Sequence, residues 1–145
     1  MKLRNLTTAI ALACSASLAS ADGGFSATHA WTFNHTAANG SRAMGSEIVA
    51  FDAQQGHLWV VGTDANQANL GLGGIDVFDL AGNLLHSIDT SALGGINSVA
   101  VANGRAAVAI SAPTKTNPGL VRFFDTATFA TLADVTVGAN PDSVT

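Results

Sequence analysis

The sequence is poor in cysteine and in positive charge. Its 145 residues include one cysteine, Cys14, and six lysines and arginines against ten aspartates and glutamates, which gives a formal net charge of −4. We expect the segment around Cys14 to be removed, so the mature chain would have no disulfide, no thiolate metal site and no thiol nucleophile. Nucleic acid and anionic lipid are bound through clustered Lys and Arg, and so few cations argue against either partner.

Apolar runs long enough to span a membrane are also missing. The shorter apolar stretch near the N-terminus is typical of a secretory signal peptide. Lys2 and Arg4 precede an apolar stretch over residues 6–18, and Ala19-Ser20-Ala21 supplies small residues for a cleavage site. The stretch falls short of the roughly 20 residues that span a bilayer, so we predict no transmembrane segment. We predict cleavage after Ala21 and a secreted or periplasmic protein, and we leave association with the cell surface open.

Two other interpretations of the N-terminus stay open. The stretch could be an N-terminal helix of the mature fold. It could also be a lipoprotein signal centred on Cys14, although the leucine that usually stands three residues before such a cysteine is absent. If cleavage does follow Ala21, the loss of Lys2 and Arg4 moves the formal net charge from −4 to −6.

Helical periodicity is absent as well, and the chain carries a repeat instead. Glu47-Ile48-Val49-Ala50 recurs as Asn97-Ser98-Val99-Ala100 and opens again as Asp142-Ser143-Val144-Thr145, with starts 50 and 45 residues apart. A period of roughly 40–50 residues built from short apolar runs is typical of β-propeller blades. We therefore predict an all-β fold, the N-terminal blades of a β-propeller with four antiparallel strands per blade. Because propellers have typically 4–8 blades, we expect the remaining blades to follow in a longer chain.

The spacing of apolar runs and turn residues predicts the strands and the domain organisation. Runs bounded by Gly, Asn, Asp and Pro are typical of strands. They lie at residues 48–51, 57–62, 75–79 and 84–88 in the first unit, and at 99–101, 106–110, 120–125 and 131–137 in the second. The turn Asp79-Leu80-Ala81-Gly82 has Asp first and Gly fourth, as type I turns prefer. The predicted divisions are a signal peptide at 1–21, a lead segment at 22–46, blades at 47–96 and 97–141, and the start of a third blade at 142–145.

The lead segment matches no whole unit. Trp31 and Phe33 share one face of an extended stretch, which predicts a lone strand. Such a strand would be placed to close the ring with the last blade. The alternative is a flexible leader, which the polar run over residues 34–46 favours.

Several runs between residues 45 and 145 are more specific than the strand pattern. They are Gly45-Ser46-Glu47-Ile48-Val49-Ala50-Phe51-Asp52, Leu58-Trp59-Val60-Val61, Gly94-Gly95-Ile96-Asn97-Ser98-Val99-Ala100-Val101, Ala107-Val108-Ala109-Ile110, Pro118-Gly119-Leu120-Val121-Arg122-Phe123-Phe124-Asp125 and Val137-Gly138-Ala139-Asn140-Pro141-Asp142. In order and spacing they resemble the choice-of-anchor I family of bacterial secreted propellers. The resemblance implies an extracellular or periplasmic propeller of the seven-bladed type, often carried on larger proteins with varied surface-anchoring signals. Some relatives carry alkaline phosphatase or phytase-like labels, but no matching position here is a known catalytic residue.

Three polar residues hold equivalent places in the repeat and form the candidate site. Glu47, Asn97 and Asp142 each stand at the start of a unit's first strand, which lines the central channel of a propeller. Together they would form part of a polar ring at one channel mouth. Carboxylate and amide oxygens suit hard cations, so we predict a ligand site there and consider a divalent cation such as calcium. The alternative is that each side chain caps the backbone between blades.

Other motifs give weaker indications. Asp64-Ala65-Asn66 opens a Gly-rich loop that reaches Asp76, but it lacks the ligand spacing and terminal Glu of an EF-hand, so we predict a surface loop. Gly71-Leu72-Gly73-Gly74 precedes a strand and therefore fails as a dinucleotide fingerprint. The serines considered as nucleophiles, Ser87, Ser91 and Ser98, lack a G-x-S-x-G elbow. The four histidines form no helical metal motif; they are His29, His35, His57 and His86. His29 and His35 could pair on a metal, but exposed polar positions on a strand are the better prediction.

Two functions follow from these observations. The first is a non-catalytic binding or scaffold module at the cell surface or in the periplasm. The alternative is part of a metal-dependent alkaline phosphatase or phytase-like phosphomonoesterase, which would need carboxylates holding two or more metals near phosphate. No catalytic residue is assigned, and enzymatic activity is left open. The expected partners are the remaining blades, and a surface ligand or a small phosphate ester. An isolated pair of blades would leave apolar faces uncovered, so we expect this chain by itself to associate.

Overall fold

The computed structural model describes residues 26–41, 44–64 and 73–145. Residues 31–145 belong to one compact unit, and residues 26–30, which belong to a separate unit, are exposed and have no regular secondary structure. The predicted signal peptide at 1–21 lies outside the described residues. Within the described ranges, no helix has the length and apolarity needed to cross a membrane.

Eight strands form two separate antiparallel sheets of four strands each, in sequence order. The first sheet consists of β1 (Met44–Asp52), β2 (His57–Asp64), β3 (Gly73–Asp79) and β4 (Leu84–Asp89), and the second of β5 (Gly95–Ala102), β6 (Arg105–Ser111), β7 (Pro118–Asp125) and β8 (Thr131–Ala139). The described part of the chain has one helix, a 3-10 turn at Ala37–Asn39. The all-β prediction with four antiparallel strands per repeat is confirmed, and two such sheets in succession are consistent with propeller blades.

All eight predicted strands lie inside observed strands, which extend further at one or both ends. The largest differences are in the first strand of each sheet, since β1 begins at Met44 and β5 at Gly95, each four residues before the predicted start. The added residues include Gly45 and Gly95, and glycine is depleted in strands. In the structure Gly45 pairs with Thr63 and Gly95 with Ser111, so the ladder continues through both glycines.

The apolar core lies between the two sheets. Residues two apart along a strand face the same side, and this alternation gathers one face of each sheet against the other. The buried members are Trp59, Val61, Ile75, Val77, Ile96, Val99, Ala106, Val108, Ile110 and Phe124. Strand β5 contacts both β1 and β2, and the rings of Trp59 and Phe124 meet across the interface with centroids 6.0 Å apart. Burial of each large apolar side chain contributes about 1.5–3 kcal/mol, so the second sheet is held by this shared core.

Aspartates organise the turns at the outer end of each sheet. Asp79 accepts hydrogen bonds from the N–H groups of residues 81 and 83 at 2.9 and 2.8 Å, and Gly82 has a φ of 87°, which confirms the predicted turn. Asp125 accepts the N–H groups of residues 127 and 128 at the same place in the second sheet. Hydrogen bonds lower the pKa of both carboxyls. For Asp79 the largest cause is a further bond from the side-chain amide of Asn83, and for Asp125 it is the bond from the backbone N–H of Thr128.

Residues 31–41 cover part of the face of the first sheet that points away from the second sheet. Trp31 and Phe33 contact Phe78 with ring centroids 5.7 and 4.7 Å apart, and the indole N–H of Trp31 donates to the carbonyl of Leu80 at 3.1 Å. The two aromatic rings therefore share one face, but residues 26–41 contain no strand. The proposal that the lead segment closes a ring stays a prediction.

Candidate functional site

Glu47 and Asn97 occupy the same irregularity in the first strand of each sheet. In the first sheet the pairing passes from Ser46–Gly62 to Ile48–Val61, so Glu47 has no partner opposite it. In the second sheet it passes from Ile96–Ile110 to Ser98–Ala109 and leaves Asn97 in the same position. An extra residue of this kind is a β-bulge, a feature over-represented at sheet edges and beside active sites because it re-aims a side chain.

The two bulge side chains bond to equivalent hydroxyl groups on the neighbouring strand. Glu47 is exposed, and its Oε1 accepts a hydrogen bond from Thr63 Oγ1 at 2.8 Å. Asn97 is half-buried, and its Nδ2 donates to Ser111 Oγ at 2.6 Å and to the carbonyl oxygen of Pro141 at 2.6 Å. The bulge residue of each repeat is therefore fixed by a hydroxyl from the second strand, and Asn97 also holds the chain that follows β8.

Asp142 is the third predicted member of the polar ring. It is exposed and lies outside any strand, although the backbone N–H of Val144, two residues later, donates to Ser98 Oγ at 3.3 Å. The residues after β8 therefore run beside β5. Among the described residues, no hydrogen bond or ion pair joins any two of Glu47, Asn97 and Asp142.

The structure tests part of the metal-binding motifs considered in the sequence, which are the histidines and the loop between Asp64 and Asp76. Over residues 26–41, 44–64 and 73–145, no three His, Cys, Asp or Glu side chains converge closely enough to hold a metal ion. Residues 65–72 of the Gly-rich loop lie outside the described residues. Asp76, which that loop reaches, lies in β3 as the predicted strand at 75–79 implied, and it is fully buried.

Asp76 is the centre of a polar cluster that the sequence analysis missed. His35 Nδ1 lies 2.7 Å from Asp76 Oδ2, and the hydroxyl of Ser41 donates to the same oxygen. The hydroxyl of Ser87 donates to Asp76 Oδ1 at 2.6 Å. On the other side of the imidazole, His35 Nε2 lies 2.6 Å from Ser46 Oγ. We call these five residues the Asp76 cluster.

No motif marks the Asp76 cluster, because its members come from the lead segment and from strands β1, β3 and β4. One signal was available. Asp76 stands in the middle of the apolar run Gly74-Ile75-Asp76-Val77-Phe78, and a carboxylate so placed needs buried partners. The prediction that His35 is an exposed strand residue is wrong, since its side chain is 12% exposed and lies on no strand.

Two other histidines contact one aromatic residue in the turn between β7 and β8. His86 stacks on Phe129 with ring centroids 4.8 Å apart and an interplanar angle of 9°, and His57 contacts the same ring at 5.9 Å. Phe129 itself has a positive φ of 60°, so a strained turn residue is held between the sheets by ring contacts. These contacts give His57 and His86 a packing role.

Comparison with known families bears on the whole of the repeat region. The profile of the Choice-of-anchor I domain matches residues 47–145, which include the bulge residues Glu47 and Asn97, and nearly all of both sheets. No curated protein matches the chain. His35, Ser41 and Ser46 precede the matched range, so the Asp76 cluster joins the family domain to the segment before it. From its matched residues and its paired four-stranded sheets, the chain belongs to the choice-of-anchor I family.

Proposed function

We propose that the chain is an exported, cell-surface-associated binding module whose bulged inner strands present polar groups to a ligand. The family supports an association with the cell surface or secretion. The sequence of residues 1–21 supports export. The observation that carries the binding role is the repeated bulge, which places Glu47 and Asn97 at equivalent points of neighbouring strands.

Glu47 is the residue best placed to take a ligand. A carboxylate has about four acceptor positions, and in the described part of the chain Glu47 accepts one hydrogen bond, from Thr63. Its remaining acceptor capacity faces solvent. The net negative charge of the chain, −4, favours a cation or a ligand with donor groups over an anion.

Asn97 and Asp142 contribute differently. Both hydrogens of the Asn97 amide are engaged by Ser111 and Pro141, so its carbonyl oxygen is the group left for a ligand. Asp142 is exposed and follows directly on Pro141, so Asn97 restrains the segment that carries this carboxylate. Oxygen donors of these two types are the ones that Ca²⁺ prefers.

A calcium titration followed by NMR tests the binding role. We expect added Ca²⁺ to shift amide resonances of residues 45–48 and 95–98 and of Asp142, and Glu47→Gln to weaken the binding at least tenfold. Asp134→Asn is the matched control, since it removes a carboxylate of the outer strand β8 and should leave the titration unchanged. A titration that moves no resonance in these segments contradicts a cation site at the bulges.

Export is tested by the N-terminus of the mature product. We expect the protein recovered outside the cytoplasm of a bacterial host to begin with Asp22-Gly23-Gly24, as read by mass spectrometry. A product that retains Lys2, or one that begins at an acylated Cys14, would contradict cleavage after Ala21.

A further inference from the structure

Three members of the Asp76 cluster stand in a line from the surface to the interior. Ser46 Oγ is 2.6 Å from His35 Nε2, and His35 Nδ1 is 2.7 Å from Asp76 Oδ2. Ser46 is exposed, the side chain of His35 is 12% exposed and that of Asp76 is fully buried. A hydroxyl within hydrogen-bond reach of an imidazole that a carboxylate orients is the arrangement that activates a serine nucleophile.

The contact between His35 Nδ1 and Asp76 Oδ2 favours one tautomer of a neutral imidazole. An ionised carboxylate only accepts hydrogen bonds, so Nδ1 of His35 must carry a hydrogen and donate it to Asp76. The neutral ring then has an unprotonated Nε2, which accepts the hydrogen of the Ser46 hydroxyl. This is the protonation state in which the imidazole can take a proton from Ser46.

The surroundings hold the imidazole in place and leave the serine accessible. The ring of His35 meets Phe33 and Phe78 edge-on, at interplanar angles of 71° and 80° and centroid distances of 5.4 and 5.9 Å. Asp76 is fixed in turn by the hydroxyls of Ser41 and Ser87. Such support holds a general base in the orientation that proton transfer requires.

We propose that Ser46, His35 and Asp76 are a Ser–His–Asp triad that hydrolyses carboxylic esters, an activity beyond the proposed binding role. Ser46 Oγ attacks the ester carbonyl carbon while its proton passes to His35 Nε2. The bond from the carbonyl carbon to the alcohol oxygen breaks, and the alcohol leaves with that proton. Water then attacks the acyl-Ser46 ester, gives a proton to Nε2, and releases the carboxylic acid as Oγ takes the proton back. Asp76 is a positioning residue that holds the ring in its reactive tautomer.

The serine is tested by covalent labelling of the full chain with a fluorophosphonate, followed by peptide mass spectrometry. We expect the label on Ser46. Ser46→Ala and His35→Gln should each lower the hydrolysis of p-nitrophenyl acetate by at least about 100-fold, the smallest effect usual for general acid–base catalysis. This ester has a good leaving group and so makes the least demand on further stabilising groups. Ser143→Ala, which removes another exposed serine, should change neither reading.

The positioning role of Asp76 is tested by a measurement that would not change if Asp76 only supported the fold. The ¹⁵N shifts of the His35 ring should show the Nδ1-protonated tautomer in the unmodified chain, and Asp76→Asn should shift it toward the other tautomer while labelling slows. Circular dichroism of each variant establishes that it is folded. A folded, unmodified chain that takes no label on Ser46, or labelling of Ser46 that is equally fast in a folded His35→Gln variant, would overturn the proposal and leave the cluster a structural link.

Discussion

Phe124 joins the two sheets at the level of a single residue. It is 1% exposed, comes from β7 of the second sheet, and contacts Trp59 of the first. We expect Phe124→Ala to lower the free energy of unfolding by about 3–5 kcal/mol, because it removes a buried ring and leaves a cavity that the surrounding side chains fill only in part. Urea denaturation measures this loss.

Leu132 provides the control for Phe124. It is apolar and lies on β8 of the same sheet, but it is 50% exposed. Leu132→Ala should change the free energy of unfolding by less than about 0.5 kcal/mol. Equal losses for the two variants would mean that Phe124 is not buried between the sheets.

Asp134 and Arg122 form an ion pair whose effect on pH dependence can be measured. Arg122 Nε and Nη2 donate to the two carboxylate oxygens at 2.7 Å each, and these hydrogen bonds lower the pKa of Asp134 while raising that of Arg122. Because the pKa of Asp134 is lower in the folded state than in the unfolded state, the carboxylate stabilises the folded state at pH values above its unfolded-state pKa of about 3.9. This contribution is lost as the pH falls through the pKa of the folded state.

We therefore expect the carboxyl ¹³C resonance of Asp134 to titrate below the ordinary range of an aspartate. Arg122→Gln should move that titration upward and, because the Asp134 side chain is 42% exposed, should cost no more than about 1 kcal/mol of stability at neutral pH. A titration at the same pH in both proteins would show that the pair does not form in solution.

At the level of strands, the close approach of β1 and β2 requires a glycine. A Cβ added to Gly62 would stand 2.2 Å from the carbonyl oxygen of Gly45, a backbone atom that cannot move without disturbing the ladder. We expect Gly62→Ala to lower the free energy of unfolding by about 1–3 kcal/mol or more. Gly138→Ala is the matched control in β8, where a Cβ meets no atom within 4 Å, and it should be neutral or slightly stabilising.

The sequence predicted that both sheets exist and where their strands centre, but it did not predict the bulges. The repeat already aligned Glu47 with Asn97, since each is followed by Val two residues later and by Ala three residues later. A bulge, however, is defined by the partner strand, because it appears only when the register with β2 or β6 slips by one residue. Local pattern carries no information on that register.

The Asp76 cluster could not be predicted for a related reason. Its contacts join residues that are 6 to 41 positions apart, from the lead segment and three strands. The alternation of Trp31 and Phe33 gives the lead segment an apolar face, but it does not show which sheet face that side covers. The packing of Trp31 and Phe33 on Phe78 holds the segment that carries His35 beside the carboxylate.

At the level of the whole molecule, strand β1 leaves apolar side chains uncovered. Val49 is 60% exposed and Phe51 is 52% exposed, on the same face that residues 31–41 cover further along. Exposed apolar patches promote contact between copies. We expect the purified chain to self-associate as its concentration rises, and Val49→Thr with Phe51→Ser to reduce this, as measured by light scattering. Association that is unchanged in the double variant would place the contact elsewhere.

The central claim is that the two repeats fold as separate sheets that pack through one shared core. Nuclear Overhauser spectroscopy of the isotopically labelled chain tests it most directly. We expect cross-peaks between the ring protons of Trp59 and Phe124, and between backbone protons of β1 and β2 in the first sheet and of β5 and β6 in the second. Backbone cross-peaks that pair residues 48–51 with residues 99–101 would place both runs in a single sheet and contradict the account.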